Sequence, residues 1–95
     1  MTKPRGHYVI LDPRTIAGKY FSDWNDGFVV CGDFSCPVLI CSKVSTCEPH
    51  GISVVHIQRD KTPPEIPLFL PTGSVALILD LPDKGQPPFG FSPAN

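Results

Sequence analysis

The chain has 95 residues, of which 41% are hydrophobic, and this length and composition suit one small domain with a modest core. Charged residues make up only 18% of the chain and balance to a net charge of −1, so neither a basic nucleic-acid-binding face nor the acidic surface of a nucleic-acid mimic is expected. Twelve prolines and eight glycines disfavour long helices and favour short strands joined by ordered turns.

The first predicted element is a strand from His7 to Leu11, a short apolar run closed by Asp12-Pro13. Residues 13–24 then allow two interpretations. As a helix, they would begin at an N-cap on Asp12 and carry one apolar stripe, formed by Ile16, Ala17, Tyr20, Phe21 and Trp24. As a strand, Lys19 to Trp24 would lead into the next hairpin, and Gly18 favours this alternative because glycine costs about 1 kcal/mol inside a helix.

The segment from Trp24 to Cys36 predicts a β-meander, because two tight-turn dipeptides flank four residues that favour strands. Asp26-Gly27 suits a type I′ hairpin turn and Gly32-Asp33 suits a type II′ turn. Both glycines are therefore expected at positive φ.

A two-residue loop at Gly32-Asp33 also fixes a register, in which Cys31 pairs with Phe34 and Val29 pairs with Cys36. This register places five residues on one face of the sheet: Trp24, Val29, Cys31, Phe34 and Cys36. We expect Cys31 and Cys36 to be buried on that face as small hydrophobic residues, neither bridged nor bound to metal.

Three further strands are predicted in the second half of the chain. Gly51 to Gln58 carries apolar residues on both faces, which indicates a central strand. Ile66 to Leu70 and Val75 to Leu81 flank the turn Pro71-Thr72-Gly73-Ser74 and predict a second hairpin. Pro82 ends this hairpin, and no periodicity follows it. We therefore predict one domain over residues 1–81 and an extended, Pro/Gly-rich C-terminal arm over residues 82–95.

The cysteines and histidines suggest one candidate metal site. Zinc needs four ligands that converge at tetrahedral positions. The loop Cys47-Glu48-Pro49-His50 contains a C-x2-H pair that could chelate zinc, and a small zinc-binding interaction module would use Cys41, Cys47, His50 and His56. A single mixed pair is a weaker pattern than two C-x2-C pairs. A loop held by ordinary hydrogen bonds is therefore preferred, and no cofactor is expected.

Signatures of catalysis are missing from the sequence. Cys47, His56 and Asp80 would supply the parts of a small cysteine- or histidine-dependent enzyme, but no family pattern surrounds them. Asp26 falls at a predicted turn, where an aspartate side chain stabilises the turn backbone. The sequence also contains no glycine-rich phosphate loop. We therefore expect a protein that is not an enzyme.

The N-terminal residues and the cysteine count indicate where the protein works. Met1 to His7 has no apolar run behind its charges, and no segment approaches the roughly 18 apolar residues of a membrane span. We expect a soluble, cytoplasmic protein without a signal peptide. Thiols stay reduced in the cytosol, so the four cysteines are not expected to form disulfides.

The expected fold is all-β or β-rich α+β: five to seven antiparallel strands in a small barrel or two-layer sandwich, with at most one short helix near residues 13–24. The expected function is that of a non-catalytic protein-binding or assembly module that uses an exposed sheet edge or face and the C-terminal arm. Small size and the lack of motifs suggest a virus- or phage-encoded structural or accessory protein. Its partner would be another protein or a second copy of the chain, and neither a nucleic acid nor a membrane.

The C-terminal arm is the predicted binding element. Its prolines stiffen the backbone and its phenylalanines offer apolar anchors to a groove, which gives a predicted binding set of Pro87, Pro88, Phe89, Phe91 and Pro93. The alternative is that the arm folds back and covers an edge of this chain's own core.

Overall fold

The computed structural model describes residues 4–46, 49–58, 62–82 and 91–93, and these residues form one antiparallel sheet and one short helix. The elements in chain order are β1 (Pro4–Leu11), α1 (Ile16–Tyr20), β2 (Gly27–Cys31), β3 (Phe34–Ser45), β4 (Gly51–Ile57), β5 (Glu65–Pro71), β6 (Val75–Pro82) and β7 (Phe91–Pro93). The sheet has seven strands and does not close on itself. The prediction of a β-rich fold with antiparallel strands and one short helix is confirmed.

Strand β3 organises the sheet, because its 12 residues are long enough to pair with three neighbours. One edge of β3 pairs with β1, which pairs in turn with β6. The opposite edge is divided between two strands. Residues 34–38 pair with β2, and residues 41–45 pair with β4. Strand β5 extends the sheet beyond β4, and β7 extends it beyond β2, so the main path reads β5-β4-β3-β1-β6.

Strand β1 is buried on both faces, because alternate residues of a strand point to opposite sides of the sheet. Val9 and Leu11 lie in one core cluster, together with side chains from β3, β4, β5 and the helical segment. Tyr8 and Ile10 lie in a second cluster, together with side chains from β2 and β3. The apolar core is thus divided between the two faces of the sheet.

Residues 13–24 contain a helix and not a strand, but this helix begins later than predicted. Thr15 is the N-cap, and its hydroxyl accepts the backbone N–H of Gly18 at 3.0 Å. Asp12 was the expected cap, but its carboxylate instead accepts the backbone N–H of Arg14 at 2.9 Å and the guanidinium of the same residue at 3.0 Å. Helix α1 therefore lasts five residues. No helix in the described part of the chain is long and apolar enough to cross a membrane.

The apolar stripe predicted for this helix is only half buried. Phe21 belongs to the core, and Ala17 and Trp24 pack against it. Ile16 and Tyr20 are 88% and 72% exposed. A helix this short contacts the sheet along a single narrow face, which leaves the flank of the stripe in solvent.

The hairpin of β2 and β3 has the predicted register. Cys31 pairs with Phe34, Val29 pairs with Cys36, and Gly32 has a φ of +62°. Cys36 is buried as predicted, but Cys31 is exposed. The tip of the hairpin, residues 30–35, extends beyond the point where pairing between β3 and β1 ends at Val38, and all of its residues are exposed.

Trp24 and Gly27 also depart from the predicted meander. Trp24 does not join the face of Cys36; it stacks on Phe21 in the cluster on the other side of the sheet, with 5.3 Å between ring centroids. Gly27 has the predicted positive φ, at +149°, but it is the first residue of β2 and not part of a hairpin turn. A side chain there would collide with the ring of Phe91 and the backbone oxygen of Ser92.

Strands β5 and β6 exist as predicted, but they do not pair with each other as a hairpin. They lie at opposite ends of the sheet path, with β5 against β4 and β6 against β1. The turn that joins them is bonded to two different regions. The N–H of Thr72 donates to the carbonyl of His50 at 3.1 Å, and the carbonyl of Ser74 accepts the N–H of Asp12 at 2.8 Å. The two strands therefore diverge from the turn. The prediction of a central strand in the Gly51 to Gln58 segment is confirmed by β4, which lies between β3 and β5.

Candidate functional site

The two strands that end the main path of the sheet, β5 and β6, present different edges. An edge strand carries unpaired backbone N–H and C=O groups, which can pair with a strand of another chain. Strand β5 contains Pro67 and Pro71, and proline interrupts such pairing because it has no N–H. Strand β6 has no proline before Pro82, so every residue from Val75 to Leu81 retains its N–H. Among the described strands, none pairs with the outer edge of β6.

The first part of β6 is apolar and only partly covered. Val75 packs against the core cluster that contains Val9, whereas Ala76 and Leu77 are both exposed, Leu77 by 50%. The register between β1 and β6 shifts at this point, because Val75 pairs with Leu11 and Leu77 pairs with Ile10. Further along, Leu79 packs against the core cluster that contains Tyr8. Strand β6 is thus anchored in the core at Val75 and Leu79, while Ala76 and Leu77 between them present a short exposed apolar segment.

Asp80 is the one charged residue of β6. Its Oδ1 lies 2.8 Å from Nδ1 of His7, the residue opposite it in β1. Because 71% of the Asp80 side chain is exposed, solvent screens this pair and it contributes at most about 1 kcal/mol to stability. The β6 edge is therefore nearly uncharged.

A buried histidine lies elsewhere in the sheet, next to the division of the β3 edge. His56 is 4% exposed, and its Nε2 lies 2.9 Å from Oδ2 of Asp26. The indole of Trp24 lies edge-on to the imidazole, with 5.0 Å between centroids. The same Asp26 oxygen accepts the backbone N–H of Ile40 at 2.7 Å. Ile40 falls between the residues that pair with β2 and those that pair with β4, so the Asp26 carboxylate fills a break in the backbone hydrogen bonding.

The cluster of Trp24, Asp26 and His56 has no activated nucleophile of covalent catalysis among the residues that the structure describes. Nδ1 of His56 is buried and has no hydrogen-bond partner within the described segments. Cys41 pairs with His56 across β3 and β4, but its thiol donates weakly to the carbonyl of Leu39 at 3.8 Å. Burial, followed by the nearby Asp26 carboxylate, raises the pKa of Cys41 to about 12. The thiol is therefore neutral at physiological pH, and the cluster holds strands together without an activated nucleophile.

The hairpin cysteines are no better suited to catalysis. Cys31 and Cys36 carry free thiols. Burial, together with hydrogen bonding to the Cys31 thiol, raises the pKa of Cys36 to about 11. Cys36 is thus an inert core residue, and exposed Cys31 is the thiol of this pair that reagents reach first.

The residues of the predicted zinc site are brought together only in part. Cys41 and His56 are cross-strand neighbours. His50 is exposed in the turn before β4, six positions from His56 and so roughly 20 Å away along the chain. Cys47 lies outside the described residues. Within the ranges that the structure describes, no three His, Cys, Asp or Glu side chains are placed to hold a metal ion. The zinc-binding alternative stays a prediction.

The predicted arm is described only from Phe91 to Pro93, where it forms β7 against β2. The ring of Phe91 packs edge-on against Tyr8, with 5.1 Å between centroids, and it joins the core cluster of that residue. Pro93 pairs with Gly27. The rest of the predicted binding set lies outside the described residues: Pro87, Pro88 and Phe89. At Phe91 the arm covers this chain's own sheet, while binding of another protein by the arm and the boundary at residue 82 stay predictions.

Two features of these sites were missed by sequence reasoning. The Asp26-Gly27 dipeptide indicates a turn residue, whereas Asp26 bonds to Ile40 and His56, which lie 14 and 30 residues further along the chain. No local pattern signals such contacts. The outer edge of β6, which no described strand covers, was missed because the turn after β5 suggested that the two strands pair.

No family model, curated protein or solved structure matches this chain.

Proposed function

We propose that the protein is a non-catalytic assembly module in which two copies pair edge to edge through strand β6. The contrast between the terminal strands supports this proposal. Strand β6 keeps its backbone donors and exposes Ala76 and Leu77, whereas β5 is interrupted by Pro67 and Pro71. Proteins usually block a long hydrophobic edge with proline, lysine or a bulge, because such an edge recruits other chains. Strand β6 has one register shift, between Val75 and Leu77, but it has no lysine and no proline before Pro82. The β6 edge is therefore less protected than the proline-containing β5 edge, and this difference favours β6 as an interface.

A second copy of the chain suits this edge because an antiparallel pair of identical strands is related by a twofold axis. In a pairing centred on Leu77, each Asp80 lies opposite residue 74 of the other copy. The two carboxylates are then roughly 20 Å apart, so they repel each other little. The net charge of −1 on each chain adds only weak repulsion.

The interface formed in this way is small. One pair of strands and a few side chains bury less than about 1,200 Å², the size range of weak and transient complexes. The expected dissociation constant is therefore roughly micromolar to millimolar, and assembly depends on concentration.

The test compares two lysine substitutions at matched exposure. Leu77→Lys puts a charge on the open edge, and Phe69→Lys puts the same charge on the blocked edge, at positions that are 50% and 54% exposed. Sedimentation velocity over a range of about 10 to 500 µM should show a monomer–dimer equilibrium for the wild type and for F69K, and a monomer for L77K. The proposal fails if the wild type stays monomeric over this range, or if L77K and F69K change the dimer equally.

A further inference from the structure

A second exposed surface lies on one face of β3, β4 and β5. Val44, Val54 and Leu68 point into a core cluster, so the residues that alternate with them point to the opposite face of the sheet. Strand pairing aligns these residues in two rows, which together are called the platform: Lys43, Val55 and Pro67 in the first row, and Ser45, Ser53 and Phe69 in the second.

The platform is apolar at its β5 side and cationic at its β3 side. Pro67 is exposed and Phe69 is 54% exposed, so the β5 side offers a proline ring next to an aromatic ring. Lys43 is exposed at the β3 side, and no carboxylate in the described ranges forms an ion pair with it. The platform borders a groove of about 750 Å³ that His7 also lines, and none of the described residues that line this groove is acidic.

The spacing of the strands sets the size of a matching partner. Neighbouring strands lie about 4.8 Å apart, so the apolar side and Lys43 are separated by two spacings, or roughly 10 Å. A peptide in the polyproline II conformation places the side chains of residues i and i+3 on the same side, about 9 Å apart. Its backbone has no internal hydrogen bonds, and the hydroxyls of Ser45 and Ser53 can bond to it.

We propose that the platform binds an extended, acidic segment of a partner protein, with an apolar side chain against Pro67 and Phe69 and a carboxylate at Lys43. Charge complementarity favours this occupant, because Lys43 lines the groove as an exposed cation and no acidic residue of the described ranges lines it, while the nearby Asp80 carboxylate is already paired with His7. The surface uses strands β3 to β5, so it is separate from the β6 edge and does not depend on dimer formation.

The test uses two fluorescein-labelled, proline-rich peptides that carry a tryptophan three residues before either a glutamate or a glutamine. Fluorescence anisotropy should show tighter binding of the glutamate peptide at low salt. Lys43→Gln should weaken this binding roughly five-fold, which is the size expected of one exposed ion pair. The variant should also lose the preference for glutamate, and added salt should have the same effect on the wild type. Phe69→Ser should weaken both peptides about ten-fold or more, because it removes the exposed ring.

Two variants on helix α1 serve as matched controls. Lys19→Gln removes one exposed cation, Ile16→Ser removes one exposed apolar side chain, and both should leave peptide binding unchanged. The proposal is overturned if the glutamate and glutamine peptides bind the wild type equally, if K19Q weakens binding as much as K43Q, or if neither peptide binds below about 1 mM. Binding of octanoate that depends on Lys43 and Phe69, without binding of either peptide, would overturn it in favour of a lipid-like ligand.

Discussion

The Asp26 carboxylate provides a sharp test of how this sheet is held together. One oxygen, Oδ2, accepts two donors: the backbone N–H of Ile40 and Nε2–H of His56. Asp26→Ala removes this oxygen and leaves both donors without their partner. Asp26→Asn keeps an oxygen in the same place and removes the negative charge, so the pair of variants separates the geometry of the acceptor from its charge.

The expected magnitudes follow from burial. A buried donor that loses its partner costs about 1 to 3 kcal/mol. His56 is nearly fully buried, whereas the Asp26 side chain is 25% exposed, so water can partly replace the lost oxygen at Ile40. We therefore expect D26A to lower the free energy of unfolding by about 3 kcal/mol. D26N should cost only about 1 kcal/mol, the difference between a charged and a neutral acceptor. The larger loss is a substantial share of the 5 to 15 kcal/mol that stabilises a typical domain.

Urea unfolding followed by circular dichroism measures both values. Trp24 gives a second probe, since it is the only tryptophan and it packs against His56. The midpoint should fall clearly for D26A and slightly for D26N, with an unchanged slope. The reasoning is refuted if D26A stays within 1 kcal/mol of the wild type, or if D26N is as damaging as D26A.

Three further predictions concern the arm, the thiols and the turns. Phe91→Ala should lower the free energy of unfolding by about 2 kcal/mol in thermal denaturation, because it removes a half-buried ring that packs against the core; an unchanged melting temperature would show that the arm does not cover the sheet. Iodoacetamide at pH 8 should modify Cys31 well before Cys41, as read by peptide mass spectrometry, and equal rates would contradict the burial of Cys41. Gly32→Ala should lower the free energy of unfolding by about 1 to 2 kcal/mol through its positive φ alone, since no atom lies within 4 Å of the added Cβ. Gly27→Ala should cost more, because its Cβ also collides with β7, and equal costs would refute this contact.

Short-range patterns were the reliable part of the sequence analysis. Gly32-Asp33 predicted the register of the β2–β3 hairpin, because a two-residue loop leaves only one way for Cys31 and Phe34 to pair. The apolar residues on both faces of the segment around Val54 likewise indicated a central strand. These features depend on residues that are close in sequence, so a single chain suffices to read them.

Long-range pairing could not be predicted in this way. The turn at residues 71–74 has the composition of a hairpin loop. However, its two sides form backbone hydrogen bonds with His50, just before β4, and with Asp12, just after β1. Asp26 has the sequence context of a turn residue, but in the folded chain β4 brings His56 within hydrogen-bond distance of its carboxylate. In both cases the deciding hydrogen bonds join residues that are far apart in sequence, and local composition carries no signal for them.

The two proposed surfaces lead to one last prediction, because they lie on different strands and do not compete. A dimer paired through β6 leaves the platform of each copy open, so each dimer should bind two peptides, one per chain. The Leu77→Lys monomer should bind the glutamate peptide with the same affinity per chain as the wild-type dimer, since Leu77 lies outside the platform. A partner with two acidic segments should instead bind the dimer more tightly than the monomer, because the second segment binds at a raised effective concentration. Isothermal titration of both proteins with a single-segment and a two-segment peptide measures these quantities. Loss of single-segment binding in L77K would show that the two surfaces are coupled. If the two-segment peptide gains the same affinity over the single-segment peptide in L77K as in the wild type, the result would contradict a dimer that presents both platforms.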